Sequence, residues 1–350
     1  MFPGQAFFVL AENGSQMYFT DDPFFYPVGI MMNDKFKGFL LGAVAAATYG
    51  MNPLFALPLY QEGLEADSVL FYRYSMAVAM LGMLMKFQRQ SFRLKKNEVL
   101  PLIIGGLLFA GSSLTLFLAY RYMDAGIAST ILFVYPVMVA VIMAMFFREK
   151  LTPVTVGSIV LALTGIGLLY KGGDGGPLSM TGIILIMLSA LSYAIYMVGV
   201  KQSALKNLPG MRLTFYILLF GLAVYVIRLK FGLELQVIPS WKGWGNVVAL
   251  AFLPTVVSLL CTTLAIRYIG ATPAAILGAL EPVTAVFFGV MVFGEQLTFR
   301  LAIGIVMIII SVSLIIAGKA AAGRLNAAFF RLVERIRRAR RRRKIKENGR

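Results

Sequence analysis

The sequence predicts an all-α integral membrane protein, with ten transmembrane helices in two inverted five-helix repeats. Three observations carry this expectation. Of the 350 residues, 59% are hydrophobic and 14% charged, and the mean hydropathy is +0.79, which is too apolar for a water-soluble globule. Ten separate apolar runs approach the ~20 residues that a helix needs to cross roughly 30 Å of hydrocarbon. Finally, residues 119–152, AYRYMDAGIASTILFVYPVMVAVIMAMFFREKLT, recur without a gap at 265–298 as AIRYIGATPAAILGALEPVTAVFFGVMVFGEQLT, with about a third of positions identical. Each copy holds five runs. An odd number of crossings forces the second copy to enter the bilayer upside down relative to the first. Helices are expected because only they satisfy every backbone hydrogen bond within one segment. The alternating ten-residue pattern of an outer-membrane barrel is absent from the sequence.

Taken in order, residues 1–34 form an N-terminal extension. Positions 1–31 have neither a basic start nor an unbroken apolar run, so they do not read as an ordinary signal peptide. Met32 then opens MNDKFKGFLLG, and translation starting at Met31 or Met32 is the expectation, the preceding stretch being a mis-assigned start or disordered. The first repeat, residues 35–170, carries runs near 36–59, 67–86, 98–119, 125–147 and 153–170. KGGDGGP at 171–177 is a turn linker. Its glycines do not form a phosphate loop, because no Lys-Ser/Thr follows and no strand precedes. The second repeat, residues 178–318, carries runs near 178–200, 211–230, 245–267, 271–293 and 299–318.

The last segment, 319–350, holds thirteen Lys or Arg and two acids, which is +11 of the net charge of +17. Within 324–346 the residues Leu325, Ala328, Phe329, Leu332, Val333 and Ile336 share a helical stripe. This predicts a helix lying on anionic membrane lipid rather than a nucleic-acid-binding or disordered tail. Short-loop Lys and Arg favour the cytoplasm. With the amino end inside, Lys35, Lys37, Lys86, Arg89, Arg93, Lys95, Lys96, Arg148 and Lys150 are inside, against Arg121 and Lys171 outside, where the acidic loop 61–67 also falls. The second half is nearly balanced alone, and the basic tail decides it. The expectation is a multi-pass protein of the cytoplasmic (inner) membrane, both termini cytoplasmic.

The duplication extends into the earlier helices at a slightly different offset. Gly38 aligns with Gly182, Ala46 with Ala190, Tyr49 with Tyr193, and Phe71-Tyr72 with Phe215-Tyr216. In the later helices Arg121-Tyr122 matches Arg267-Tyr268, Pro136 matches Pro282, and Glu149-x-Leu-Thr matches Glu295-x-Leu-Thr.

The chain has no histidine and one cysteine, Cys261, inside the eighth run. An intrachain disulfide is therefore excluded, as are Ser-His and Cys-His nucleophile pairs and His-box metal sites. No catalytic residue, metal or cofactor is predicted. An intramembrane enzyme lacks support: Gly111-Ser112-Ser113 has no following Gly of a rhomboid-like serine, and GGDGG lacks paired intramembrane aspartates. A channel lacks a ring of like charges or a carbonyl filter loop. A lipid scramblase or sensor remains an alternative to a carrier.

Polar groups are costly in hydrocarbon, so polar stripes on apolar helices should face neighbours or a wet cavity. The first run offers Thr48, Tyr49 and Asn52, and the sixth Ser189, Ser192, Tyr193 and Tyr196. The third offers Ser112, Ser113 and Tyr120; the eighth Thr255, Ser258 and Thr262. The predicted substrate cavity is Tyr49, Asn52, Ser112, Tyr120, Tyr135, Tyr193, Tyr196, Ser258, Thr262 and Glu281. The alternative is that small polar residues glue helices together, and for any single Ser or Thr that reading is preferred.

Glu281, in the middle of the ninth run, carries about 2.5 to 3.5 kcal/mol of insertion cost. Three roles stay open for it: coupling-ion carrier, partner of backbone freed at Pro282, or ligand recognition. Arg73 is expected to pair with Glu65 or Asp67, to snorkel, or to meet an anionic solute. Glu149 and Glu295 read as helix-end or gate contacts. Pro53, Pro136, Pro254 and Pro282 are the predicted hinges, helped by Gly278 and Gly289.

With a Pro amid the fourth helix of each five-helix repeat and a Glu-x-Leu-Thr after it, the chain resembles the EamA-type branch of the drug/metabolite transporter superfamily. Ala-Thr-Tyr-Gly-Met-Asn in the first helix, Tyr-Arg-Tyr early in the second and LGALEPVTAVFFGVMVFGEQLT at 277–298 support this over residues 36–318. The resemblance implies a secondary carrier for a small-molecule substrate, often an amino acid or relative and often exported, with a cavity between the halves. The tyrosine-rich wall suits a neutral, zwitterionic or moderately apolar solute. Alternating access and a monomer or weak dimer are expected.

Overall fold

The computed structural model describes residues 34–148, 153–169, 179–269, 274 and 277–314. The expected N-terminal extension up to residue 33, the linker 171–177, the tail with its lipid-facing stretch 324–346, and Glu149 lie outside these residues. All regular structure among the described residues is helical. Seven helices are long and apolar enough to cross a membrane: Asp34–Gln61, Ala66–Phe87, Lys96–Ala119, Ala125–Phe147, Met180–Val200, Gly210–Arg228 and Trp241–Ile266. Three further apolar helices, Pro153–Leu169, Leu280–Phe293 and Phe299–Leu314, are shorter.

Three of the long spans are interrupted, and each interruption falls at a predicted hinge. The first divides into α1 (Asp34–Gly50) and α2 (Asn52–Gln61), with Pro53 in the first turn of α2. Proline lacks an N–H and fixes its φ, which suits the start of a helix better than its middle. After α3 (Ala66–Phe87) and α4 (Lys96–Ala119), the fourth span divides into α5 (Ala125–Leu132) and α6 (Tyr135–Phe147), Pro136 again opening the second piece. Next come α7 (Pro153–Leu169), α8 (Met180–Gln202) and α9 (Gly210–Arg228). The eighth span joins α10 (Trp241–Ala251) to α11 (Ser258–Ile269) through a π-helical turn, Phe252–Val257. There Pro254 would clash with the carbonyl of Leu250 in a regular helix. The wider turn relieves this, and Thr255 Oγ1 donates to the Leu250 carbonyl at 3.2 Å. The last helices are α12 (Leu280–Phe293), with Pro282 in its first turn, and α13 (Phe299–Leu314).

Helix pairing follows small residues. α1 packs most extensively on α11 and α4 on α8, with α3 against α9 and α5 against α12. A Cβ at Gly38 would lie 2.5 Å from Ile269 Cγ2 and 2.7 Å from Tyr268 Cβ; one at Gly182 would lie 2.7 Å from Met123 Cε and 3.1 Å from Tyr122 Cβ. Only glycine lets these backbones approach, as membrane helix interfaces require. Hydroxyls seal the same seams. Ser189 Oγ donates to the Ser112 carbonyl at 2.7 Å, and Ser258 Oγ donates to the Ala45 carbonyl at 2.9 Å.

Contacts at the helix ends fix which loops are neighbours. At one end Arg228 grips Asp67 through two bonds of 2.6 and 3.0 Å, the Tyr72 hydroxyl donates to the Gln236 carbonyl, and Ser240 donates to Glu62 at 2.7 Å. Arg121 reaches Glu65 at 3.3 Å there. At the other end the Tyr216 hydroxyl donates to the Phe92 carbonyl and Arg212 to the Arg93 carbonyl.

Candidate functional site

Tyrosines from both halves meet inside the bundle as a continuous aromatic wall. Tyr135, at the start of α6, stands edge-on to Tyr193 of α8 with ring centroids 4.6 Å apart. Tyr193 neighbours Tyr196 at 5.7 Å, Tyr196 meets Phe109 at 5.4 Å, Phe109 meets Tyr74 at 6.2 Å, and Tyr74 meets Tyr225 at 5.0 Å. Such pairs add to area burial by about 0.5 to 1.5 kcal/mol each. The far hydroxyls of this wall are spent on structure, Tyr225 donating to the Ala110 carbonyl at 2.9 Å and Tyr74 sharing a bond with Ser113 at 2.8 Å. No hydrogen bond to the Tyr135 or Tyr193 hydroxyl occurs among the described residues.

Glu281 sits beside the near end of the wall. Tyr49, Tyr135 and Tyr193 all lie within electrostatic reach of its carboxylate. A Cβ at Gly50 would come 2.5 Å from the Glu281 carbonyl oxygen, so the α1–α2 junction is pressed against the start of α12. The duplication anticipates this placement, since Tyr135 and Glu281 are equivalent positions before equivalent prolines.

Arg73 of α3 is buried at 5% exposure. It does not pair with Glu65 or Asp67, because those carboxylates are held by Arg121 and Arg228. Its Nε donates to Thr255 Oγ1 at 3.0 Å in the π-helical turn, and its guanidinium carbon lies 5.5 Å from the Phe117 ring centre. Thr255 spends its own proton on the Leu250 carbonyl, which leaves a lone pair for Arg73. Tyr49 and Tyr120 are both within reach of the Arg73 charge.

A cavity of about 570 Å³ opens at the end of the bundle that carries Glu65 and Arg228. Its lining includes Tyr60, Gln61, Tyr120, Arg121, Asp124 and Glu295. Glu295 lies beyond the end of α12 and accepts the Ala125 and Gly126 amides of α5 at 2.7 and 3.1 Å. Burial, then the neighbouring Asp124 carboxylate, push its pKa up to about 7 against the opposing pull of those two amides.

Of the residues predicted from sequence, Tyr49, Tyr135, Tyr193 and Glu281 are brought together, with Tyr196 one ring further along. Asn52 is buried at the α1–α2 junction, its Nδ2 donating to the Tyr49 carbonyl at 2.7 Å. Tyr120 lines the cavity and shares a 3.4 Å contact with Ser129. Ser112 and Ser258 are committed to the helix seams, and Thr262 donates to the Ser258 carbonyl of its own helix. Sequence reasoning did not place Arg73, Thr255 and Phe117 at one centre. They come from three helices far apart in the chain, and the one available signal was an arginine well inside an apolar run. Among the described residues no group of three or more Cys, Asp or Glu could hold a metal ion.

Comparison with known proteins agrees with this architecture. The profile of the EamA-like transporter family matches residues 36–171 and again residues 180–317. The uncharacterized transporter YxxF of Bacillus subtilis is 26% identical over 258 residues, covering 72% of this chain and 81% of that protein. An uncharacterized transporter of Archaeoglobus fulgidus is 31% identical over 194 residues, 55% of this chain and 68% of that protein. The threonine/homoserine exporter RhtA of Escherichia coli is 25% identical over 227 residues, 64% of this chain and 73% of that protein. A protein of known crystal structure shares the fold with a TM-score of 0.59 at 18% identity, over 79% of this chain and 97% of that one.

Proposed function

The chain belongs to the EamA-like transporter family, and from that premise we propose that it is a secondary carrier of amino acids or related small metabolites, working in export by alternating access. One observation supports the reading, namely that principal helix pairings are preserved when the two halves are exchanged. Under the repeat offsets α1 on α11 becomes α8 on α4, while α3 on α9 maps onto itself. Glycine contacts follow: Gly38 against Tyr268 and Ile269 becomes Gly182 against Tyr122 and Met123. So do the serine seams, Ser258 on Ala45 becoming Ser112 with Ser189.

Loop contacts support an inverted relation rather than a parallel one. The loop after α2 touches Gln236 and Ser240, and the loop after α3 touches the start of α9. These are pairs that inversion puts on one side and that a parallel duplication would put on opposite sides. Ten crossings then follow, with both termini cytoplasmic in an inner membrane, the tail on anionic lipid and the protein a monomer or weak dimer. The halves rock about the mid-membrane tyrosine wall, bending at Pro53, Pro136, Pro254 and Pro282. The name of the RhtA relative favours the amino-acid class. Glu281 stands on the solute path as carrier of a coupling proton or as a recognition group.

Counterflow in proteoliposomes tests the proposal, with a panel of radiolabelled amino acids and metabolites, with and without a pH gradient. A carrier accelerates uptake of outside label when the same solute is loaded inside. Flux that never shows this acceleration rejects it in favour of a channel or scramblase.

A further inference from the structure

The segment between α9 and α10, residues 229–240, turns one side to the protein and the other away from it. It opens as a tight turn, in which the Gly232 and Glu234 amides donate to the Leu229 carbonyl at 2.9 and 3.2 Å. Further along, Gln236, Ile238 and Ser240 face inward, Ile238 being buried and Ser240 bonded to Glu62. Gln236 commits every polar atom it has to the loop after α2 and the start of α3. Its side-chain oxygen accepts from the Glu65 amide, and its side-chain nitrogen donates to the Gly63 carbonyl at 3.1 Å. Its own amide donates to Ser68 Oγ at 3.2 Å, and its carbonyl accepts from the Tyr72 hydroxyl at 3.0 Å.

The outward side is apolar. Phe231 is 81% exposed, Leu233 87%, Val237 81% and Trp241, the first residue of α10, 91%. Single exposed apolar residues are ordinary, whereas four in one short segment mark a surface that something covers.

Three observations point to lipid as the cover. With 19 residues at ~1.5 Å each, α9 spans about 28 Å, close to the roughly 30 Å of hydrocarbon, so the segment leaves α9 and enters α10 at the hydrocarbon boundary. Exposed apolar side chains continue on both flanking membrane spans, as Ile227 of α9 and Trp244 and Val248 of α10. The amides of residues 232–236 all find acceptors within the protein, which is what backbone at a poorly hydrated level requires.

The duplication separates architecture from function here. At the offset that relates Tyr72 to Tyr216, Gln236 corresponds to Phe92, and the Tyr216 hydroxyl donates to the Phe92 carbonyl as Tyr72 does to that of Gln236. The clasp is therefore built twice. In the first half, however, the loop that carries it, residues 88–95, is dominated by Arg89, Arg93 and Lys95. Joining the helices in this way does not require an apolar outer side.

We propose that residues 229–241 form an interfacial membrane anchor, with Phe231, Leu233, Val237 and Trp241 seated in the phospholipid of the adjacent leaflet. Lipid on one side and the Gln236 bonds on the other then hold the loop after α2 in place at this end of the bundle. An anchor of this kind reaches about 5 to 10 Å, to the boundary of headgroups and acyl chains, where tryptophan is favoured. The anchor needs only a membrane-spanning chain and is independent of what the chain carries.

Trp241 and Trp244 are the two tryptophans of the chain, so fluorescence reports on this place directly. The full-length protein with Trp244→Phe is reconstituted in phosphatidylcholine vesicles, either plain or brominated at a shallow or a deep acyl position. Trp241 emission should be blue-shifted relative to free tryptophan and should resist aqueous iodide. It should lose most of its intensity to the shallow bromines and less to the deep ones. In a second background, Trp241→Phe with Trp244→Phe, single tryptophans introduced by Phe231→Trp or Leu233→Trp should behave in the same way.

Unshifted emission that iodide quenches and brominated lipid does not overturns the anchor. Protection from both quenchers overturns it too, because protein, such as a second copy of the chain, then covers the segment. A greater loss to deep bromines than to shallow ones also rejects it, by placing these side chains in the hydrocarbon instead of at its boundary.

Discussion

The Glu295 carboxylate, just past the end of α12, accepts the backbone N–H of Ala125 at 2.7 Å, at the first residue of α5 in the other half of the chain. A helix start leaves its first amides without intrahelical partners and carries a partial positive charge, so a carboxylate from elsewhere can cap it. Here the cap ties the second half to the first at the mouth of the cavity. The fit is close on both sides, because a Cβ at Gly126 would lie 2.7 Å from Glu295 Oε2 and one at Gly289 would collide with the same atom.

Burial of this carboxylate, then the neighbouring Asp124, outweigh the two amides and make stability depend on pH with a defined sign. The folded protein holds the Glu295 proton up to about pH 7, from an ordinary value of 4.5. Between these values the folded state binds more protons than the unfolded one, so stability falls as pH rises through that window. Thermal unfolding in detergent should show the decline, and Glu295→Gln should flatten it. An unaltered slope in the variant would place the titration on another group.

Close-packed glycines should be sensitive and open ones indifferent. Gly38→Ala and Gly182→Ala both place a Cβ under 3.0 Å from a neighbouring side chain. Each should destabilise by about 1 to 3 kcal/mol, the usual cost of overpacking. Gly111→Ala and Gly157→Ala meet nothing within 4 Å, and they should be neutral or stabilising by up to about 1 kcal/mol through helix propensity. Unfolding temperatures of the four variants in one detergent make the comparison.

The hydroxyl seam between α4 and α8 should appear as a coupling energy. Ser189 both bonds the Ser112 carbonyl and sits 3.1 Å from its hydroxyl. A double-mutant cycle with Ser112→Ala and Ser189→Ala should return about 0.6 kcal/mol and no more than about 2, the range for interhelical bonds in membranes. Strict additivity would remove the side-chain part of this seam.

Loop contacts predict labelling sides. In a Cys261→Ser background, cysteines at Lys95 and Lys206 should react with an impermeant thiol reagent from one face of the membrane, and cysteines at Glu65 and Glu234 from the other. With Lys95 and Lys206 on opposite faces, the inverted arrangement falls.

Periodicity and duplication made most of the fold legible. Apolar runs marked the helices, Pro53, Pro136 and Pro254 marked the interruptions, and equivalence of Tyr49 with Tyr193 and of Tyr135 with Glu281 drew four residues toward one place that tertiary packing then assembled. Ser112 and Ser258 looked like cavity residues for the same reason that they make good seams: a small hydroxyl suits either surface, and only the neighbouring helix decides between them. Arg73 was ambiguous because its partners were sought nearby in sequence. Glu65 and Asp67 were already held by Arg121 and Arg228, residues brought to them from 56 and 161 positions away.

The amino-acid sequence by itself determined a membrane-embedded, duplicated, all-helical chain of the EamA-like family, because hydrophobic burial in lipid and backbone hydrogen bonding are local demands that each segment meets alone. Which polar groups found which partners was decided only by tertiary structure. That Arg73 meets Thr255 while Glu65 and Asp67 are held by Arg121 and Arg228 depends on the geometry of helices distant in sequence.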